Sequence, residues 1–159
     1  PTRHTTLDTG TEMGLTDTQR DALLKSANQA RSHAHAPYSG FAVGAAVLAE
    51  DGTIFSGCNV EVSNYSGGCC AERIAVFKAI SCGHRRFTAC AVVADMVETA
   101  CGPCGSCRQV LWDFAPECVV IMANPSGSIQ ATMPLSELIP LSFGPENVLD
   151  AIKAQHGTG

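Results

Sequence analysis

Three runs of almost unbroken apolar residues, 41–49 (FAVGAAVLA), 87–95 (FTACAVVAD) and 118–124 (CVVIMAN), restrict most what this chain can fold into. Short apolar runs without polar alternation are strands buried on both faces, so helices must cover the sheet from two sides. Segments with helical patterning lie between them. Thr16 with Gln19 forms a capping-box signature, and Leu23, Leu24, Ala27 and Ala30 recur near helical spacing before Pro37 stops the helix. Residues 71–81 (AERIAVFKAIS) are rich in helix formers and end at Gly83, and 104–115 (CGSCRQVLWDFA) are bounded by Pro103 and Pro116. Asp51-Gly52 marks a hairpin that makes 41–49 and 53–61 antiparallel neighbours, and Pro125-Ser126-Gly127 joins 118–124 to a strand at 128–133. A short helix falls within 134–140, and Pro145-Glu146 opens a terminal one. The order αββαβαββα predicts a three-layer α/β/α sandwich around a five-stranded mixed sheet.

With 159 residues the chain has room for one domain. It is placed at 15–147, between a flexible tail at 1–14 and a C-terminal helix or tail at 148–159. Ten Lys and Arg against fifteen Asp and Glu leave a formal charge of −5, with no basic field to gather phosphates, so nucleic acid is not an expected partner. Charged residues make up 16% of the chain, whereas a soluble domain carries about 25%, which predicts that other subunits cover part of the surface. The longest apolar stretch contains a glycine and is too short to cross a bilayer, and the polar N-terminus shows no signal-peptide core. The expectation is a cytoplasmic homo-oligomer with no membrane partner.

Nine cysteines, an odd number without an export signal, favour metal ligation and free buried thiols over a disulfide framework. Cys104 and Cys107 stand three apart at a helix start, which puts both sulfurs on one face. Cys70 opens another helix after Gly67-Gly68, so two helix N-termini can converge, and the positive end of each favours thiolate. Three thiolates suit zinc. Two readings stand at this point. One is a structural Cys₄ site completed by Cys101 or Cys69; the other is a catalytic site with an open position and Glu72 as its acid–base group. Glu72 also fits as an ordinary acidic residue complementing a helix N-terminus. Cys58, Cys82, Cys90 and Cys118 lie in apolar segments and are expected in the core, while His4, His33, His35, His84 and His156 are expected on the surface or in the tails.

Cys70-Ala71-Glu72-Arg73 and Pro103-Cys104-Gly105-Ser106-Cys107-Arg108-Gln109 resemble the two zinc motifs of the cytidine deaminase family, in particular its short homotetrameric branch with three cysteine ligands. Asn59-Val60-Glu61 stands at the family's distance before the first motif. Pro37-Tyr38-Ser39, Phe41, Val43-Gly44-Ala45-Ala46 and Phe143-Gly144-Pro145 extend the resemblance from about residue 20 to 147. The resemblance implies one Zn²⁺ per subunit held by Cys70, Cys104 and Cys107, with Glu72 shuttling protons while activated water displaces the amino group at C4 of cytosine. It implies that Arg73 hydrogen-bonds the thiolates, whose charge with Zn²⁺ sums to minus one, and that Asn59 and Glu61 hold the ribose. Phe41 would pack on the base, the backbone at Ala71 would meet the pyrimidine carbonyl, Tyr38 would sit near the entrance, and Tyr65 and Phe143 would reach a neighbouring subunit's site.

The implied activity converts cytidine and deoxycytidine, small nucleoside substrates, to uridine and deoxyuridine with release of ammonia, in pyrimidine salvage, by a homotetramer. Taken without the resemblance, Phe41 is a core residue, Glu61 a solvated strand end and Asn59 a turn former. The chain departs from the family's usual residues at Val62, at Ser66-Gly67-Gly68-Cys69 and at Gly102. Residues 67–72 are also similar to blasticidin S deaminase, which acts on a cytosine nucleoside antibiotic; Glu61 favours an ordinary nucleoside.

Overall fold

The computed structural model describes residues 13–156, with side chains to residue 154, so most of the tail at 1–14, His4 and the His156 side chain lie outside the described residues. Helix α1 (Asp17–Arg31) begins with the expected capping box: Thr16 Oγ1 accepts from the Gln19 N–H, and Gln19 Oε1 accepts from the Thr16 N–H. Strands β1 (Val43–Ala49) and β2 (Ile54–Cys58) pair antiparallel across the turn at Gly52, whose φ is 88°. Helix α2 (Ala71–Ser81) is followed by Gly83 at φ 97°. Then come β3 (Phe87–Ala94), α3 (Gly105–Phe114), β4 (Val119–Ala123), β5 (Gln130–Pro134), α4 (Leu135–Leu138) and α5 (Pro145–His156). The division drawn at 147/148 therefore falls inside α5.

Around Asn59, β1 and β2 stop short of their apolar runs. Asn59 Nδ2 donates to the Phe41 carbonyl and Asn59 Oδ1 accepts from the Val43 N–H, so a side chain takes the place of a strand partner ahead of β1. Past Cys58 the chain leaves β1 for the segment after α1: the His35 N–H donates to the Asn59 carbonyl and the Glu61 N–H to that of His35.

The sheet order is β2-β1-β3-β4-β5, with β3 and β4 parallel and the other pairs antiparallel. Leu48, Ala91 and Ile121 pack on one face beneath Leu23 and Ala27 of α1. Val47, Val92 and Val120 pack on the other against Val76 of α2 and Leu111 of α3. Burial on both faces explains why these runs lack polar alternation. Two glycines bring the helices onto the strands: a Cβ at Gly44 would lie 2.0 Å from the Ala27 carbonyl oxygen, and one at Gly57 2.7 Å from the Ala75 nitrogen. Cys90 and Cys118 are buried as expected, but Cys58 is half-buried and Cys82 is exposed. Cys82 is the C-cap of α2, where the chain turns to solvent, so its apolar neighbours in sequence do not bury it.

Candidate metal centre and substrate cleft

Cys70 and Cys104 are the N-caps of α2 and α3, each with extended backbone, and neither thiol caps its own helix. The sulfurs meet each other instead: Cys70 Sγ lies 3.8 Å from Cys104 Sγ, Cys104 Sγ lies 3.5 Å from Cys107 Sγ, and all three sulfurs fall within 4.8 Å. Cys107 is buried in the first turn of α3. Zinc bound to thiolate at about 2.3 Å in a tetrahedron requires sulfurs about 3.8 Å apart, so this soft donor set fits the ion and leaves one position open. Among the described residues these three make the only such cluster. Cys69 and Cys101 stay outside it, and the Cys101 thiol faces the Gly102 carbonyl at 3.8 Å. A four-sulfur structural site is therefore not assembled.

The electrostatics are those of an anionic centre with one compensating cation. Hydrogen bonding from the Cys107 thiol, reinforced by Arg73 and Cys104 and opposed by burial, pulls Cys70 down to about 5. The same sharing with Cys70, together with burial, pushes Cys107 up. Arg73 Nη2 donates to Cys70 Sγ at 3.7 Å, and Arg73 Nε is buried without a hydrogen-bond partner. Glu72, in the first turn of α2, is 4% exposed and is the only buried charged side chain among the described residues. Burial, with the charge at Cys70 adding, pushes its carboxyl above the usual range, so it holds a proton more readily than an ordinary glutamate.

A cleft of about 500 Å³ opens beside Cys70, with Tyr38, Asn59, Glu61, Tyr65 and Arg73 among its walls. The Tyr38 and Tyr65 rings meet edge to face at 5.3 Å. Glu61 is not a freely solvated strand end. Its Oε2 accepts from the Tyr38 and Ser39 N–H groups at 3.0 and 3.1 Å, and its Oε1 from the Ser39 hydroxyl. The Ser39 hydrogen bonds, side chain first, hold its carboxyl below the usual range. Phe41 is 38% exposed rather than in the core, since its backbone is anchored by Asn59 outside the strand ladder. Phe41 and the fully buried Ala71 are not among the cleft's walls.

Phe143 lies elsewhere, 63% exposed on a second cleft of about 570 Å³ shared with Gln109, Val148 and Leu149. Gln109 Nε2 donates to its carbonyl at 2.8 Å. Reasoning from sequence named Ser39 only within the Pro37-Tyr38-Ser39 motif and assigned it no role of its own. The signal available was weak: a serine two residues before Phe41, in a turn that closes on Gly40 at φ 68°.

Residues 17–123 match the family described as the cytidine and deoxycytidylate deaminase zinc-binding region. The chain is 48% identical over 129 residues to the cytidine deaminase of Sporosarcina psychrophila, a match covering 80% of this chain and 93% of that one. It is 46% identical over 132 residues to the cytidine deaminase of Halalkalibacterium halodurans, covering 82% and 98%. Its structure is similar to the crystal structure of cytidine deaminase from Burkholderia pseudomallei, with a TM-score of 0.73 and 40% identity over 77% of this chain and 98% of that one.

Proposed function

The chain belongs to the cytidine and deoxycytidylate deaminase family, and on that premise we propose that it hydrolyses cytidine and deoxycytidine to uridine and deoxyuridine with release of ammonia. The observation that carries the reading is the convergence of Cys70, Cys104 and Cys107 at two helix starts, with the buried carboxyl of Glu72 two residues from the first. Cys70, Cys104 and Cys107 would hold Zn²⁺, which would supply Lewis-acid activation of water.

The chain's own residues do the rest. Glu72 accepts a proton from the attacking water and passes it to N3 of the pyrimidine, then takes the proton of the hydroxyl left on C4 and delivers it to the departing amine, so that the carbonyl forms as the C4–N bond breaks. A carboxyl raised by burial suits this cycle, because it must be protonated and deprotonated in each turnover. Arg73 offsets the surplus negative charge of three thiolates around a divalent ion. Asn59 and Glu61 line the cleft and are assigned to the sugar, while the Ala71 backbone and the Phe41 ring, which are not among the cleft's walls, are assigned to the base. Tyr65 and Phe143, both exposed and aromatic, are assigned to contacts across subunits of a homotetramer. The enzyme then serves pyrimidine salvage in the cytoplasm, with the catalytic domain beginning at residue 15.

Zinc-loaded protein incubated with cytidine is expected to produce uridine, and chelation to stop it. No turnover by metal-replete protein, or faster turnover of blasticidin S than of cytidine, overturns the reading.

A further inference from the structure

We propose that Ser39 is a positioning residue that sets the substrate's sugar preference, by fixing the Glu61 carboxylate and the Phe41 backbone as one unit. The inference rests on the reading that Glu61 holds the sugar. The Ser39 hydroxyl donates to Glu61 Oε1 and accepts from the Phe41 N–H at 3.0 Å. The two backbone N–H groups of Tyr38 and Ser39 converge on the other carboxylate oxygen. Asn59 holds the Phe41 carbonyl and the Val43 N–H.

A half-buried glutamate outside a strand, such as Glu61, ordinarily samples several rotamers. Here three donors from one turn select one, and the turn is closed by the Gly40 N–H on the Ala36 carbonyl at 2.9 Å. The backbone donors alone bind a single oxygen, about which the carboxylate can still swing. The hydroxyl supplies the second point of attachment, so that Oε1 and Oε2 keep their free lone pairs aimed at a fixed place in the cleft. A hydroxyl-bearing sugar meets a preorganised acceptor only while Ser39 is in place. A hydroxyl that merely stabilised the turn would affect all nucleosides alike.

The test is the ratio of kcat/KM for cytidine to that for 2′,3′-dideoxycytidine, which keeps the base and glycosidic bond but lacks both ring hydroxyls. Zinc-loaded wild type, Ser39→Ala, Ser39→Thr and Glu61→Ala are compared. The ratio is expected to fall about tenfold in Ser39→Ala, as for loss of one hydrogen bond to a charged acceptor, and to return to within about threefold of wild type in Ser39→Thr, which restores the hydroxyl. A ratio unchanged in Ser39→Ala but lowered in Glu61→Ala overturns the positioning role and leaves the sugar reading intact. A ratio unchanged in Glu61→Ala overturns the sugar reading and Ser39's role with it. A Ser39→Thr variant as impaired as Ser39→Ala also overturns the role, because the hydroxyl is then not the source.

Discussion

Glu72 and Cys70 show how two residues apart on one helix start can titrate in opposite senses. The Cys70 sulfur is an acceptor for its neighbours and is pulled down to about 5, whereas burial pushes the Glu72 carboxyl up. The two shifts suit the roles proposed for these groups, a thiolate for a cation and a carboxyl that holds and releases a proton. Substituting Glu72→Gln keeps the shape but removes the exchangeable proton. Turnover is expected to fall by about a hundred- to ten-thousandfold with one zinc per subunit retained, as metal analysis beside kinetics will show; comparable turnover would remove Glu72 from the mechanism. The three-sulfur cluster was partly legible in the sequence, because helical spacing places Cys104 and Cys107 on one face. The partners of Glu61 were not, because Tyr38 and Ser39 come from a turn far back in the chain and approach only once residues 59–61 have paired with the segment after α1. Phe143 was named from its motif, and it lies away from the cleft beside Cys70.

At the scale of elements, helix signals survived folding better than strand signals. Thr16, Gly83 and Pro116 act locally, so α1, α2 and α3 end close to where their caps and breakers put them. The ends of β1 and β2 depend on the Asn59 side chain, which hydrophobic pattern does not reveal. The contact between β2 and α2 was likewise silent. Gly57 faces α2 at its first turns, and a Cβ there would lie 2.7 Å from the Ala75 nitrogen and 2.8 Å from the Ala71 carbonyl oxygen. Backbone atoms cannot rotate aside, so Gly57→Ala must push away the helix that begins at Cys70. A loss of about 1–3 kcal/mol in denaturant unfolding is expected, as for overpacking elsewhere, together with weaker zinc retention. Unchanged stability would show that α2 can retreat freely.

At the scale of the molecule, a sheet buried on both faces makes the fold sensitive to alkali. Burial pushes the Cys118 thiol up to about 12 from 9.0, and raises Cys90 as well, with the neighbouring Cys118 adding. These thiols ionise in the unfolded chain before they do in the folded one, so their contribution is fully present below pH 9 and is lost as pH rises from 9 towards 12. Each contributes a slope of up to about 1.4 kcal/mol per pH unit. Cys118→Ala should flatten the decline of unfolding free energy between pH 9 and 10.5 by about that amount, and an identical slope would refute the assignment.

The convergence of α2 and α3 also has a consequence for how the chain is tied. Cys70 and Cys104 are separated by 34 positions, and the whole of β3 lies between them. An ion gripped by both sulfurs therefore closes a loop around that strand, as a covalent bridge would. By the chain-entropy measure used for such bridges, a tie of this span is worth on the order of 3–4 kcal/mol. A zinc ion bound there would thus also serve as a removable cross-link, restricting through Cys70 and Cys104 the conformations open to the unfolded chain.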